Sequence, residues 1–264
     1  MALRRLHLSS FVAHLAALFI AGSGCVLAAI AEPALPEPAI EAHVRAVDAA
    51  IASHALFAML VQDRADFRQE WERRVRQRLL RAPLAGETSQ VAVRAGMGLA
   101  MEASKPYLMR ASDAASNRFL ASLTGLIALG ETDPEVCLAY VESNDDVTIN
   151  GSRRDAVESG LGDAVVSDLL DSLTQVVASG RNGEDRVLTR QELQPALQPV
   201  ILAMAEKNGV QSLQGLAKVN DPRALPLERC QAMARMLVAF TVQPAAKRAM
   251  LARTLFSGAL PDVE

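Results

Sequence analysis

Cys137 and Cys230 are the residues whose chemistry is easiest to name from the sequence. They remain after an N-terminal leader that holds the third cysteine, Cys25. An even number of cysteines in an oxidising compartment favours a disulfide bond between them. That bond would close a loop of about ninety residues and contribute about 4 kcal/mol on the chain-entropy model. The alternative is two buried thiols that pack as small apolar side chains.

Arginines surround the only tryptophan, Trp71, in the stretch from Asp63 to Arg81. This grouping suggests a surface for an anion or a protein partner, and Trp71, Arg74 and Arg78 are its candidate residues. The alternative is a solvated helix face, because pairs of opposite charge four residues apart stabilise a helix by only about a few tenths of a kcal/mol. The acids that alternate with the arginines are Asp63, Asp66, Glu70 and Glu72.

Residues 181–192 are similar to the calcium-binding loop of an EF-hand at some positions only. Glu192 matches the bidentate twelfth ligand and Asp185 matches the fifth. Arg181, however, stands at the first ligand position, where calcium needs a carboxylate, and Arg186 replaces the turn glycine. The pattern therefore favours a helix–loop–helix with a capping box, and no metal site is predicted.

Other catalytic motifs are absent from the sequence that follows the leader. Only His43 and His54 remain there, and on one helix they would lie about 16 Å apart, too far to bind one metal ion. The sequence has no Gly-x-Ser-x-Gly elbow, no phosphate-binding glycine loop and no zinc motif, so no cofactor is predicted. A carboxylate-dependent enzyme stays open, because Asp145, Asp146 and many helical acids are available.

Residues 1–31 have the layout of a secretory signal peptide. Arg4 and Arg5 precede a run without charged residues from Phe11 to Ala31. Small residues at the end of this run predict cleavage after Ala31, and hence a periplasmic or secreted protein. Two alternatives stay open: an uncleaved helix that anchors the chain, since about 20 apolar residues span a bilayer, and a lipid attached to Cys25.

Behind the leader the sequence predicts an all-α protein. Residues 32–38 contain three prolines and form a stiff Pro-rich lead, so the helical domain is expected over 39–264. Apolar residues recur there at steps of three and four, which is typical of amphipathic helices that pack as a multi-helix bundle. A polar loop marks a candidate sub-boundary near 144–155.

Particular residues predict where helices start and stop. We expect a break between Ser53 and Asp66 in the first helical segment, and an irregular segment over 91–109, where two glycines and Pro106 weaken a single helix. Asp113 is a candidate N-cap. A capping box of Thr189 and Glu192 predicts another helix start. Further helices are expected over 157–176, over 227–237 and after Pro244.

The net charge argues against one class of partner. The formal net charge is −3 and becomes more negative once the two leader arginines are removed, so no nucleic-acid partner is expected. The sequence favours an exported, non-catalytic module that binds another envelope protein. The alternatives are a carboxylate-dependent envelope enzyme and a structural protein anchored to the membrane by its uncut N-terminus.

Overall fold

The structure, a computed structural model, describes residues 37–81, 88–129, 136, 161–210, 212–213 and 225–257. The helices within these ranges are α1 (Glu37–Ser53), α2 (Ala55–Asp63), α3 (Phe67–Arg81), α4 (Thr88–Leu108), α5 (Asp113–Ala128), α6 (Asp163–Gly180), α7 (Arg190–Asn208), α8 (Pro226–Thr241) and α9 (Ala245–Phe256). No strand occurs in the described ranges, which confirms the all-α prediction. The signal peptide, the sub-boundary near 144–155 and Cys137 lie outside them.

The first helix starts earlier than the sequence predicts. α1 begins at Glu37 and includes Pro38, because the first turn of a helix has no intrahelical use for the N–H group that proline lacks. The predicted break is confirmed, and it is double: α1 ends at Ser53 and α2 at Asp63, before α3 begins at Phe67. Ile40, Val47, Leu56, Phe57 and Leu60 on α1 and α2 are buried.

Among the described helices, none is by itself long and apolar enough to cross a membrane. α1 and α2 meet the length and hydropathy requirement only as a pair, and the chain bends by 100° between them.

α4 corrects the prediction of an irregular segment over 91–109. It is one continuous helix from Thr88 to Leu108, with Pro106 in its last turn. Gly96 is required by packing: a Cβ atom at this position would overlap the indole ring of Trp71. The same indole donates a hydrogen bond from Nε1 to the Ala92 carbonyl oxygen at 2.9 Å. Gly96 thus costs helix propensity, about 1 kcal/mol relative to alanine, but lets a large ring pack against the helix.

α4, α5 and α6 form the centre of the bundle. α6 packs against both α4 and α5, α1 and α3 pack against α4, and α8 and α9 pack against α5. The described core joins aromatic rings of α2 and α3 to aliphatic side chains of the central helices. Phe57 lies 4.3 Å from Trp71 and Phe67 lies 6.0 Å from it, measured between ring centroids. Burial of this apolar surface is the main force that holds the helices together.

The ends of the later helices follow local sequence signals, with two corrections. The N-cap of α5 is Ser112, whose hydroxyl accepts a hydrogen bond from the Ala115 N–H, and Asp113 occupies the first turn instead. The predicted capping box of Thr189 and Glu192 opens α7, as expected, and Gly209 follows that helix with a positive φ of 78°. α8 and α9 confirm the helices predicted over 227–237 and after Pro244. The helix predicted over 157–176 is shifted within the described residues: α6 starts at Asp163, after an extended Gly162, and continues to Gly180.

Candidate functional site

The structure removes Trp71 from the predicted partner surface. Its side chain has 0% exposure, because α3 turns Phe67, Trp71, Val75 and Leu79 together into the core. These four residues have the helical spacing of an apolar stripe, so the tryptophan belongs to the core pattern although arginines flank it in sequence. A partner cannot contact Trp71 in the folded protein.

The arginines of α3 bind carboxylates of the same chain. Arg74 contacts Glu70 at 3.0 Å and Glu102 on α4 at 3.5 Å. The side chain of Arg78 lies outside the described residues. The remaining pairs are Arg68 with Asp48 and Glu72, Arg73 with Glu70, and Arg76 with Glu37 and Glu41. Hydrogen bonds from Arg73 and then Arg74 outweigh partial burial and lower the pKa of Glu70. Acids of the same chain therefore pair with each of these described arginines.

The connection from α6 to α7 is built as a structural loop. The Arg186 N–H donates to the Met109 carbonyl oxygen at 2.9 Å, and the Leu188 N–H donates to the Thr254 hydroxyl at 2.9 Å. Glu192, the residue at the twelfth EF-hand position, accepts hydrogen bonds from the N–H and hydroxyl of Thr189. Its carboxylate is thus used by the capping box, and these bonds lower the pKa of Glu192.

Close main-chain contacts also define this loop. A Cβ atom added to Gly180 would overlap the carbonyl oxygen of Tyr107, and one added to Gly183 would overlap the carbonyl oxygen of Arg110. Gly180 therefore lets the last turn of α6 lie directly on the end of α4, and Gly183 lets the loop lie on the residues that follow α4. Among the described His, Cys, Asp and Glu residues, no group of three or more is placed to hold a metal ion.

A polar cluster forms where α2, α4 and α6 end. Tyr107 donates a hydrogen bond to Asp63 at 2.7 Å, and the Nε of Arg181 lies 2.9 Å from the same carboxylate oxygen. Arg181 also donates to the Met59 carbonyl oxygen at 2.9 Å. Burial alone would raise the pKa of Asp63, but the hydrogen bonds from Tyr107 and Arg181 and the charge of Arg181 lower it overall. Burial and the Asp63 hydrogen bond raise the pKa of Tyr107.

These shifts make the polar cluster a poor acid–base pair. A carboxylate with a lowered pKa is a weaker base, and a phenol with a raised pKa is a weaker acid and releases its proton less readily. Asp168 on α6 shows the same trend: the Ser122 hydroxyl and then Arg118 lower the pKa of its carboxyl group. The geometry in each case favours ion pairs that join helices.

The outer face of α7 is a different kind of surface. Six exposed residues fall at steps of three and four and so form one stripe along the helix. The α7 stripe consists of Gln191, Gln194, Pro195, Gln198, Ile201 and Leu202. None of the six carries a charge, and Ile201 and Leu202 are 40% and 55% exposed. The exposed Glu192 and Glu206 continue the same spacing and bound the stripe at its two ends. Val200 and Met204 lie on the opposite, buried side of the helix.

Two prolines give the α7 stripe main-chain acceptors. Pro195 and Pro199 are inside the helix and have no N–H group. The carbonyl oxygens of Gln191 and Pro195 therefore cannot accept the usual hydrogen bond from the residue four positions ahead. The stripe thus combines apolar side chains and side-chain amides with two main-chain carbonyl groups that lack their usual helical donor.

Sequence reasoning missed the α7 stripe, although a signal was present. The thirteen residues from Leu193 to Ala205 contain no charged side chain, whereas an ordinary surface helix carries charges on its outer face. Apolar type alone does not separate Ile201 from Val200 and Met204, which lie at the same helical spacing. The structure places Val200 and Met204 inside and Ile201 outside.

Cys230, one member of the predicted disulfide, is buried on α8. Its predicted partner, Cys137, lies outside the described residues, so the disulfide stays a prediction. Comparison of the whole chain with protein-family models, with curated proteins and with solved structures gives no match.

Proposed function

We propose that this protein is an exported, non-catalytic module that binds another envelope protein through the α7 stripe. The single observation that carries the proposal is this uncharged, exposed stripe on a helix whose other side is packed in the core. Its partner would present apolar side chains together with N–H donors, since the stripe offers Ile201, Leu202 and the carbonyl groups of Gln191 and Pro195, which lack their usual helical donor. In the other polar clusters described above, the charged groups are already paired with side chains of the same chain.

Energetics support contact with an uncharged protein surface. No charged group of the stripe has to lose its hydration, so the desolvation cost of docking is small compared with that of a charged helix face. Covering the exposed parts of Ile201 and Leu202 would contribute about 1 kcal/mol each. Partner N–H groups would supply the hydrogen bonds that the helix itself lacks at Gln191 and Pro195.

The substitution Leu202→Glu tests the proposal. It places a charge in the apolar part of the stripe, and because Leu202 is 55% exposed the substitution does not touch the core. We expect capture of the partner, by chemical cross-linking in the native envelope followed by mass spectrometry, to fall roughly tenfold or more, which corresponds to a loss of about 1.4 kcal/mol.

Val242→Glu is the matched control for Leu202→Glu. Val242 is also exposed and apolar, but it lies after α8 and outside the stripe. This variant should capture the same proteins as the unchanged chain. Equal capture by both variants, with circular dichroism showing that both are folded, would overturn the assignment of binding to α7.

Export and a disulfide between Cys137 and Cys230 are part of the same proposal. The basic start of the leader and its uncharged run support export, and the even number of cysteines after Ala31 supports the pairing. The mass of the protein isolated from the envelope tests both. We expect a chain that begins at Glu32 and gains the mass of two hydrogens when a reductant is added.

Each alternative form of the N-terminus and of the cysteines gives a different mass. A retained leader indicates the anchored form, and a chain that begins at Cys25 with an added lipid indicates a lipoprotein. A mass that does not change with reductant, together with two thiols that react with an alkylating reagent after unfolding, would rule out the disulfide.

A further inference from the structure

We draw no further inference here: the strongest candidate, the uncharged exposed stripe of α7, is the surface already assigned to the proposed function, and nothing in the structure shows whether a second copy of the chain or a different protein covers it.

Discussion

Gly96 and Trp71 show how one position can depend on a residue elsewhere in the sequence. Glycine inside a helix is normally unfavourable, because its backbone loses more conformational freedom than that of alanine. At position 96 the missing side chain provides the space that the indole ring fills. The ring in turn lies against Phe57 and Phe67 and donates its N–H group to Ala92.

We therefore expect Gly96→Ala to destabilise the protein in spite of its better helix propensity. The added methyl group would force Trp71 or α4 to move, and such overpacking costs about 1–3 kcal/mol. Urea denaturation followed by circular dichroism measures the change in the free energy of unfolding.

Gly125 on α5 provides the matched control. A Cβ atom at this exposed helical glycine would meet no atom within 4 Å, so Gly125→Ala should stabilise the protein by about 0.5–1 kcal/mol. Opposite signs for the two substitutions are the expected result. Stabilisation by both would show that the indole is not fixed against Gly96.

The residue scale also shows what the sequence can and cannot predict. Trp71 lies on the same helical stripe as Phe67, Val75 and Leu79, so its spacing was enough to predict burial. Neighbouring arginines pointed to the surface instead, because a linear sequence does not show that acids of α1 and α4 neutralise them. Gly96 could not be understood without knowing that α3 packs against α4.

At the scale of elements, a buried arginine joins α9 to two other parts of the fold. Arg253 is 2% exposed. Its guanidinium group donates to the carbonyl oxygens of Arg186 at 3.1 Å and Ala111 at 3.0 Å, and it binds the Asp113 carboxylate at 2.8 Å. One side chain of α9 thus fixes both the loop before α7 and the start of α5.

Arg253→Met should destabilise the protein by about 1–3 kcal/mol. Methionine fills similar space but leaves the buried Ala111 carbonyl group and the partly buried Arg186 carbonyl group without this donor, and it removes the ion pair of the half-exposed Asp113. Differential scanning calorimetry should show a clearly lower Tm.

Lys247→Met, on the same helix, is the control for Arg253→Met. Lys247 is exposed, and surface substitutions of this kind usually change stability by less than about 0.5 kcal/mol. If both variants melt at the temperature of the unchanged protein, Arg253 does not join these elements as described.

Helix boundaries were predictable where the signal is local. The capping box of α7 depends on two residues three positions apart, and the Asn208–Gly209 end on two adjacent ones, so both can be read from the sequence. Asp113 was assigned as the N-cap of α5 because aspartate suits that position. Ser112 is the N-cap instead, and Asp113 binds Arg253, which lies 140 residues later in the chain.

The sequence shows that the α7 stripe is uncharged, but it does not show that the stripe is exposed. Its exposure depends on which side of α7 is covered by α8 and α9.

At the scale of the whole molecule, ion pairs set the response to acid. The pKa values of Asp63 and Asp168 are lowered from 3.8, and that of Glu70 is lowered from 4.5. These carboxyl groups bind protons more readily in the unfolded chain than in the folded protein. Their contribution to stability is therefore complete above the unfolded values and is lost as the pH falls through the lowered folded values.

We expect a nearly constant contribution from these groups at neutral pH and a decrease in the free energy of unfolding below pH 4.5, the ordinary value for Glu70. Urea denaturation at a series of pH values measures this profile. In Asp168→Asn, which keeps the size of the side chain but cannot ionise, the decrease should be shallower. An increase in stability on acidification would contradict the assignment of these ion pairs.

The contact between the indole and the flat surface at Gly96 has an evolutionary consequence. α3 and α4 can approach this closely only with a wide ring at position 71 and no side chain at position 96. A substitution at one of these positions should therefore be tolerated only with a matching substitution at the other. Natural relatives of this chain are expected to vary there in a correlated way: glycine opposite tryptophan, and alanine or serine where the ring is smaller.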